Sequence, residues 1–149
     1  MGGVKVFNLN GKFASNEKVK FSTAGSTRIE LRDTVTVDQM EVSTAGQATL
    51  NANALYARVF KGEIAGKGTF NLKGAGEKAD FEIAGSGKVH AFDYELSTLS
   101  CEIAGKGLIE TFAKDQIDAE IAGMGTVKYK GNPSVKVDKA GLGSVKKVD

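Results

Sequence analysis

Apolar and polar residues alternate along this chain in short runs, and each run closes on an Ala-Gly pair. The stretch Phe81-Glu82-Ile83-Ala84-Gly85-Ser86-Gly87-Lys88-Val89 shows the unit most fully. The sixth, fourth and second residues before the glycine are mostly apolar: Phe60, Gly62, Ile64; Ala79, Phe81, Ile83; Leu99, Cys101, Ile103; Ile117, Ala119, Ile121. The fifth and third are polar, as in Lys61, Glu63; Asp80, Glu82; Ser100, Glu102; Asp118, Glu120. Successive side chains of a strand point to opposite sides, so a period of two with one wet face predicts a β-strand. Four residues beyond each glycine stands another apolar residue (Ile29, Leu50, Phe70, Val89, Ile109, Val127, Val145), followed by a polar one, so a second strand follows the bend. The variable remainder, such as Asp93-Tyr94-Glu95-Leu96-Ser97, is expected to hold a third short strand or turn. Helical periodicity is absent, and glycine at this frequency would weaken any helix.

The Ala-Gly pair recurs at Gly25, Gly46, Gly66, Gly85, Gly105, Gly123 and Gly141, in steps of 21, 20, 19, 20, 18 and 18 residues. A period near twenty held over the whole chain is the signature of a solenoid. The expected fold is all-β: a parallel β-helix, or β-solenoid, of about seven coils of 18–21 residues. Coils stacked about 4.8 Å apart would pair each strand in parallel with its counterpart in the next repeat. Inward side chains then form apolar columns, of which Ile64, Ile83, Ile103 and Ile121 make the clearest, and Cys101 becomes a small buried hydrophobe. An uncapped terminal coil shows unpaired backbone groups, a template for another chain and hence a route to a homo-oligomer.

Composition narrows the picture further. The 149 residues include 19 Gly but one Pro and no Trp, and 41% are hydrophobic, which is neither a collagen nor a disordered chain. A single β-helix domain over residues 1–149 is expected. Met1-Gly2-Gly3 leads straight into a predicted strand at Val4-Lys5-Val6-Phe7-Asn8-Leu9, so a signal segment or further coils upstream stay open as an expectation. Twenty basic residues face eighteen acidic ones, intermixed, which gives no reason to expect a nucleic-acid partner. No apolar run approaches the roughly 18 residues needed to span a bilayer. The lone cysteine rules out an internal disulfide framework.

Glu63, Glu82, Glu102 and Glu120 hold equivalent outward positions and should stack as a column of like charges, an unfavourable arrangement. One reading is a cation-binding or acid-catalytic stripe. The other, preferred, is a solvated ladder relieved by Lys61, Lys67, Lys106 and Lys136, since four equal glutamates without a cleft or a paired base do not tune a general acid. His90, the one histidine, lies outward between Asn71 and Glu110, and a hydrogen bond to Glu110 is expected rather than a metal site. Asn51 and Asn71 are expected to pair in the same ladder. Phe92, Tyr94 and Phe112 fall where the chain must turn, with Phe92 and Phe112 at equivalent positions. Exposed, such rings could hold a sugar; the reading preferred is that they fill a corner of the core. Each Gly-x-Gly leads into a strand rather than a helix, so no phosphate loop is present, and neither a cofactor nor a metal is expected.

The repeated Ile83-Ala84-Gly85-Ser86-Gly87-Lys88-Val89, the stretch Gly123-Met124-Gly125-Thr126-Val127-Lys128-Tyr129-Lys130-Gly131-Asn132-Pro133 and the closing Gly141-Leu142-Gly143-Ser144-Val145 carry a resemblance. From about Val19 onward the chain resembles the putative auto-transporter adhesin, head GIN domain family, common in Bacteroidetes. That resemblance implies a right-handed β-helix at the cell surface or in the periplasm, behind a signal or lipoprotein peptide, and no established activity. The family pattern Ser-Gly-Ser-Gly-Asp departs here: Ala84, Ala104 and Ala122 stand for the first Ser, and Thr69, Lys88, Leu108, Thr126 and Ser144 for the Asp.

The leading expectation is a non-enzymatic cell-surface or periplasmic binding module, an adhesin whose partner is a surface glycan or a protein. The alternative is a self-assembling scaffold in the manner of bactofilins. A carbohydrate-active enzyme ranks third, for want of a carboxylate–base constellation.

Overall fold

The computed structural model describes residues 4–9 and 13–148, with side chains from Lys18 on; Met1-Gly2-Gly3 lie outside the described residues. The chain runs as five β-segments: β1 (Val4–Leu9), β2 (Phe13–Ala75), β3 (Lys78–Lys130), β4 (Ser134–Gly141) and β5 (Ser144–Lys147). The lengths of β2 and β3, 63 and 53 residues, far exceed any single strand, because backbone pairing continues through the corners of successive coils. All pairings between segments are parallel, with β1 on β2, β2 on β3, and β4 and β5 on β3. The fold is therefore the expected parallel β-solenoid.

Register follows the sequence repeat. Ile64 pairs with Ile83, Gly66 with Gly85 and Phe70 with Val89, while Ala119 pairs with Val137 and Gly123 with Gly141. One irregularity falls between Asn71 and Lys73, where Asn71 pairs with His90 but Lys73 pairs with Asp93. The upper coil carries one extra residue there, at Phe92, a β-bulge that absorbs the unequal spacing of the corner glycines.

Burial reproduces the alternation. In the coil after Gly85, buried Gly87, Val89 and Ala91 make one side, Tyr94 and Leu96 the next, and Leu99, Cys101 and Ile103 the third. Pairs of unburied residues separate these sides: Ala84-Gly85, Phe92-Asp93 and Ser97-Thr98. The expected third strand is thus real in this coil, and the coils after Gly25 and Gly46 show the same three faces, whereas residues 114–116 of the coil after Gly105 are all exposed and leave two. We call them the first face (before the Ala-Gly corner), the second (after it) and the third.

The isoleucine column of the first face is in place, with Ile64, Ile83, Ile103 and Ile121 all 2% exposed or less. Cys101 is buried beside it, and burial pushes its thiol up to about 12, so it packs as an inert hydrophobe. An aromatic knot fills the middle coils: the Phe60 ring lies 6.5 Å from Phe70, 5.7 Å from Phe81 and 6.4 Å from Tyr94. Gly62 occupies an inward position because a Cβ there would stand 2.8 Å from the Phe70 ring. The core is closed over about five turns, around Gly46, Gly66, Gly85, Gly105 and Gly123. In the outer two of the seven repeats the inward positions open to solvent: Phe21 and Thr23 are half-buried, Val137 is 38% exposed, and Lys139 replaces the isoleucine.

Candidate ligand grooves

On the first face the outward glutamates stack as the spacing demands, Glu63 against Glu82 and Glu120 against Asp138 in register. They line two shallow grooves. The larger, about 450 Å³, is edged by Glu63, Glu82 and Glu102, and the smaller, about 260 Å³, by Glu102, Glu120 and Asp138. Partial desolvation, and then the charges of Glu63, Asp80 and Glu102, raise the Glu82 carboxyl above its ordinary range. Asp80 is raised for the same first reason, against the lowering pull of Lys61. Relief comes from Lys61, 3.7 Å from Glu63, and from Ser43, whose hydroxyl donates to Glu63 at 3.2 Å. Lys136 lies beside Asp118 by register. Lys67 and Lys106, however, do not relieve this column: the Ala-Gly corner turns the chain between Glu63 and Lys67, so both lysines line the neighbouring face. Among the described residues no three His, Cys, Asp or Glu side chains gather in a group that could hold a metal ion.

The raised Glu82 carboxyl carries a signed consequence. A carboxyl whose folded pKa exceeds its unfolded value binds more protons when folded, so its charge weakens the fold above that pKa and the penalty disappears as pH falls through it. Glu82→Gln is therefore expected to melt above the wild type at pH 7, with the difference shrinking as the pH is taken down through the raised carboxylate range. Calorimetric melts of both proteins at matched pH check it; a difference that grows on acidification would contradict the assignment.

The second and third faces place the remaining candidates. His90 donates through Nδ1 to Glu110, as expected, and Asn71 donates to Asn51 at 2.7 Å. Tyr94 corrects the sugar-holding reading for that ring: it is fully buried, its hydroxyl donates to the Ala57 carbonyl at 3.2 Å, and burial pushes its pKa up to about 12. The corner at Phe92-Asp93 shifts the alternation by one position, as Asn53-Ala54 does in the coil after Gly46, which turns the following aromatic inward. Phe92 and Phe112 are half-buried at their shared corner. Their rings do not make a pair; Lys130, the next residue in that column, brings its ammonium to 4.7 Å from the Phe92 centroid instead.

A longer groove than either lies immediately past the Ala-Gly corners. It is a groove of about 980 Å³ running along the solenoid from Ser26 to Met124. Gly68, Gly87 and Gly107 form its floor, lying so close over the core that a Cβ would come 2.8 Å from Ile64, 2.9 Å from Ile83 and 3.0 Å from Ile103. The walls are the residues one and three places beyond each corner. They include Arg28, Lys67, Lys88 and Lys106 and no acid. Arg28 is held by Glu30 at 3.1 Å, whereas the three lysines are exposed and make no ion pair with a described residue. Sequence reasoning missed this groove, although its signal was present. In every repeat the first and third residues past the Ala-Gly pair lack an acid, while the residue three before the corner turns acidic from Glu63 onward.

Taken together, these features define the protein as a rigid parallel β-solenoid with an acidic groove and a basic groove on adjoining faces. Residues 7–133 match the family described as putative auto-transporter adhesin, head GIN domain, and the chain belongs to that family. Solved structures agree. A putative adhesin from Parabacteroides distasonis superposes with a TM-score of 0.91 at 30% identity, covering 96% of this chain and 60% of that one. A second, from Parabacteroides merdae, gives 0.87 at 29% identity, over 97% of this chain and 60% of that one. A third, from Bacteroides fragilis, shares the fold, with a TM-score of 0.75 at 23% identity over 87% of this chain and 60% of that one. The chain thus spans about three-fifths of the length of these relatives. No curated protein matches the sequence. Among the described residues no helix is long and apolar enough to cross a membrane.

Proposed function

We propose that this chain is a non-enzymatic binding module of the cell surface or periplasm, and that it binds through the groove along its second face. The observation that carries this reading is the groove's continuity: one concave strip crosses six successive coils, floored by backbone at Gly68, Gly87 and Gly107 and walled mostly by polar and basic side chains, with Leu108 and Met124 at one end. Adhesion by a flat repeated surface needs such a strip, because many modest contacts in register add up where no single pocket is deep. Membership of an adhesin family supports it. The glutamates support it too, since they lie along a shallow acidic strip with carboxylates of equal standing rather than as an acid and a base set apart. The scaffold alternative draws only on the open outer coils.

A glycan array probed with the intact chain tests this proposal, alongside light scattering over a range of concentrations. Selective binding by a species whose mass stays constant is expected. Absence of binding together with growth into long polymers would replace this reading with the scaffold.

A further inference from the structure

The chemistry of the second-face groove goes further than a general binding role and, resting on that reading, names the ligand class. We propose that the groove takes a linear anionic glycan, laid parallel to the solenoid axis, with its acidic groups on Lys67, Lys88 and Lys106.

Spacing is the first argument. These three lysines belong to three successive coils, which rise about 4.8 Å each. Lys67 and Lys106 stand one place beyond their corner glycines, and Lys88 three places beyond its own, so the ammonium groups alternate between the two walls. A chain of acidic sugars, each ring about as long as one coil step and turned relative to the last, presents carboxylates or sulfates with that alternation. Six coils give a track of roughly 24 Å, long enough for several sugar units.

Availability is the second. The lysines have no acidic partner among the described residues, so a ligand's anions would not have to displace one. Thr69 and Ser86, between the lysines, offer groups suited to sugar hydroxyls, with Leu108 and Met124 as apolar wall at one end.

Exclusion is the third. No aromatic side chain lines the groove, so it lacks the stacking platforms that single-stranded nucleic acid uses. Neutral sugars, which depend on the same stacking, would gain little there. An extended acidic peptide would seek unpaired backbone, but the floor glycines are already in ladder register, Gly68 with Gly87. Bare glycine backbone under a positive field favours a flat, charged ring.

Calorimetric titration of the intact chain tests the inference, with an oligouronate, the same oligomer methyl-esterified, a sulfated oligosaccharide and single-stranded DNA of similar charge. Binding of the oligouronate or the sulfated chain is expected, the two arms telling which acid is preferred, with no measurable binding of the ester or the DNA. Affinity should weaken steeply with salt, as the screening length shortens from about 10 Å at 0.1 M to about 3 Å at 1 M. The triple variant K67Q/K88Q/K106Q should lose at least roughly tenfold in affinity, because charge-assisted bonds are the strong ones. Ser86→Glu, which sets one exposed carboxylate in the groove, should do the same with the lysines intact, while Glu82→Gln on the first face should not. Equal binding of the ester, equal binding of the DNA, or undiminished binding by the triple variant would each overturn the proposal. A neutral glycan captured on the array with no uptake of either acidic one would overturn this inference while leaving the binding module standing.

Discussion

Phe60→Ala is expected to lower the unfolding free energy by about 3–5 kcal/mol, the cost of deleting a large ring from a packed core. Phe60 is fully buried and, among the described residues, is the one ring in contact with three others, Phe70, Phe81 and Tyr94. Its neighbours cannot fall into the space, because each is fixed to a backbone already paired in register with the coil above and the coil below. Gly62 leaves no side chain beside it to fill the void. In a solenoid each coil touches only its neighbours, so the damage is local and the middle turns become the weak point. Urea denaturation measures it as a lower midpoint. Phe92→Ala supplies the contrast: that ring sits half-exposed at a corner and gives up chiefly the Lys130 contact, worth about 0.5–1 kcal/mol. Equal costs for the two would contradict the inward placement of Phe60.

Gly85→Ala is the second large effect. Its φ of 114° lies where side chains strain the backbone, and a Cβ would stand 2.6 Å from the carbonyl oxygen of Gly66 in the preceding coil. Nothing flexible can give way, since the obstacle is itself a ladder carbonyl. Strain and clash together are expected to cost roughly 3 kcal/mol or more. Gly25 separates the two contributions. Its φ is 91°, yet a Cβ there meets nothing within 4 Å among the described residues. Gly25→Ala should therefore cost only the left-handed strain, about 1–2 kcal/mol. The same denaturation series reads both variants, and a Gly25→Ala penalty as large as that of Gly85→Ala would show that stacking of the corner glycines is not what fixes them.

Those corners also explain how far the sequence could be read. A strand's period of two is a purely local signal, so the inward set Leu99, Cys101 and Ile103 was legible from the alternation alone. The corner glycines were legible because positive φ at Gly66, Gly85 and Gly105 excludes other residues. Ladder partners followed from equal spacing, as the pairs His90–Glu110 and Asn51–Asn71 show. What alternation does not encode is the relation between faces. Glu63 and Lys67 are four residues apart and looked like neighbours, but a corner stands between them, and each borders a different groove. Nor does it reveal concavity, which shows only once the coils are stacked and the residues flanking Gly68, Gly87 and Gly107 stand as two rows. Tyr94 was placed with the corner aromatics because the corner at Phe92-Asp93 reverses the alternation just before it. The position of a corner decides which of two nearby aromatics is core and which meets solvent.

The account therefore divides the surface by charge and gives binding to one part of it. The acidic first face costs stability at neutral pH, through carboxylates such as Glu82 that are held above their usual range by desolvation and by one another. The basic groove across the corner keeps Lys67, Lys88 and Lys106 without ion-pair partners among the described residues, ready for an anion.

The measurement that bears most directly on this division is the map of backbone amide shifts in the isotope-labelled chain as an oligouronate is added. The predicted result is a set of perturbed amides confined to residues 67–69, 86–88 and 106–108, in line along the solenoid, and lost in K67Q/K88Q/K106Q. Perturbations centred on Glu63, Glu82 and Glu102, or at the outer coils alone, would contradict it.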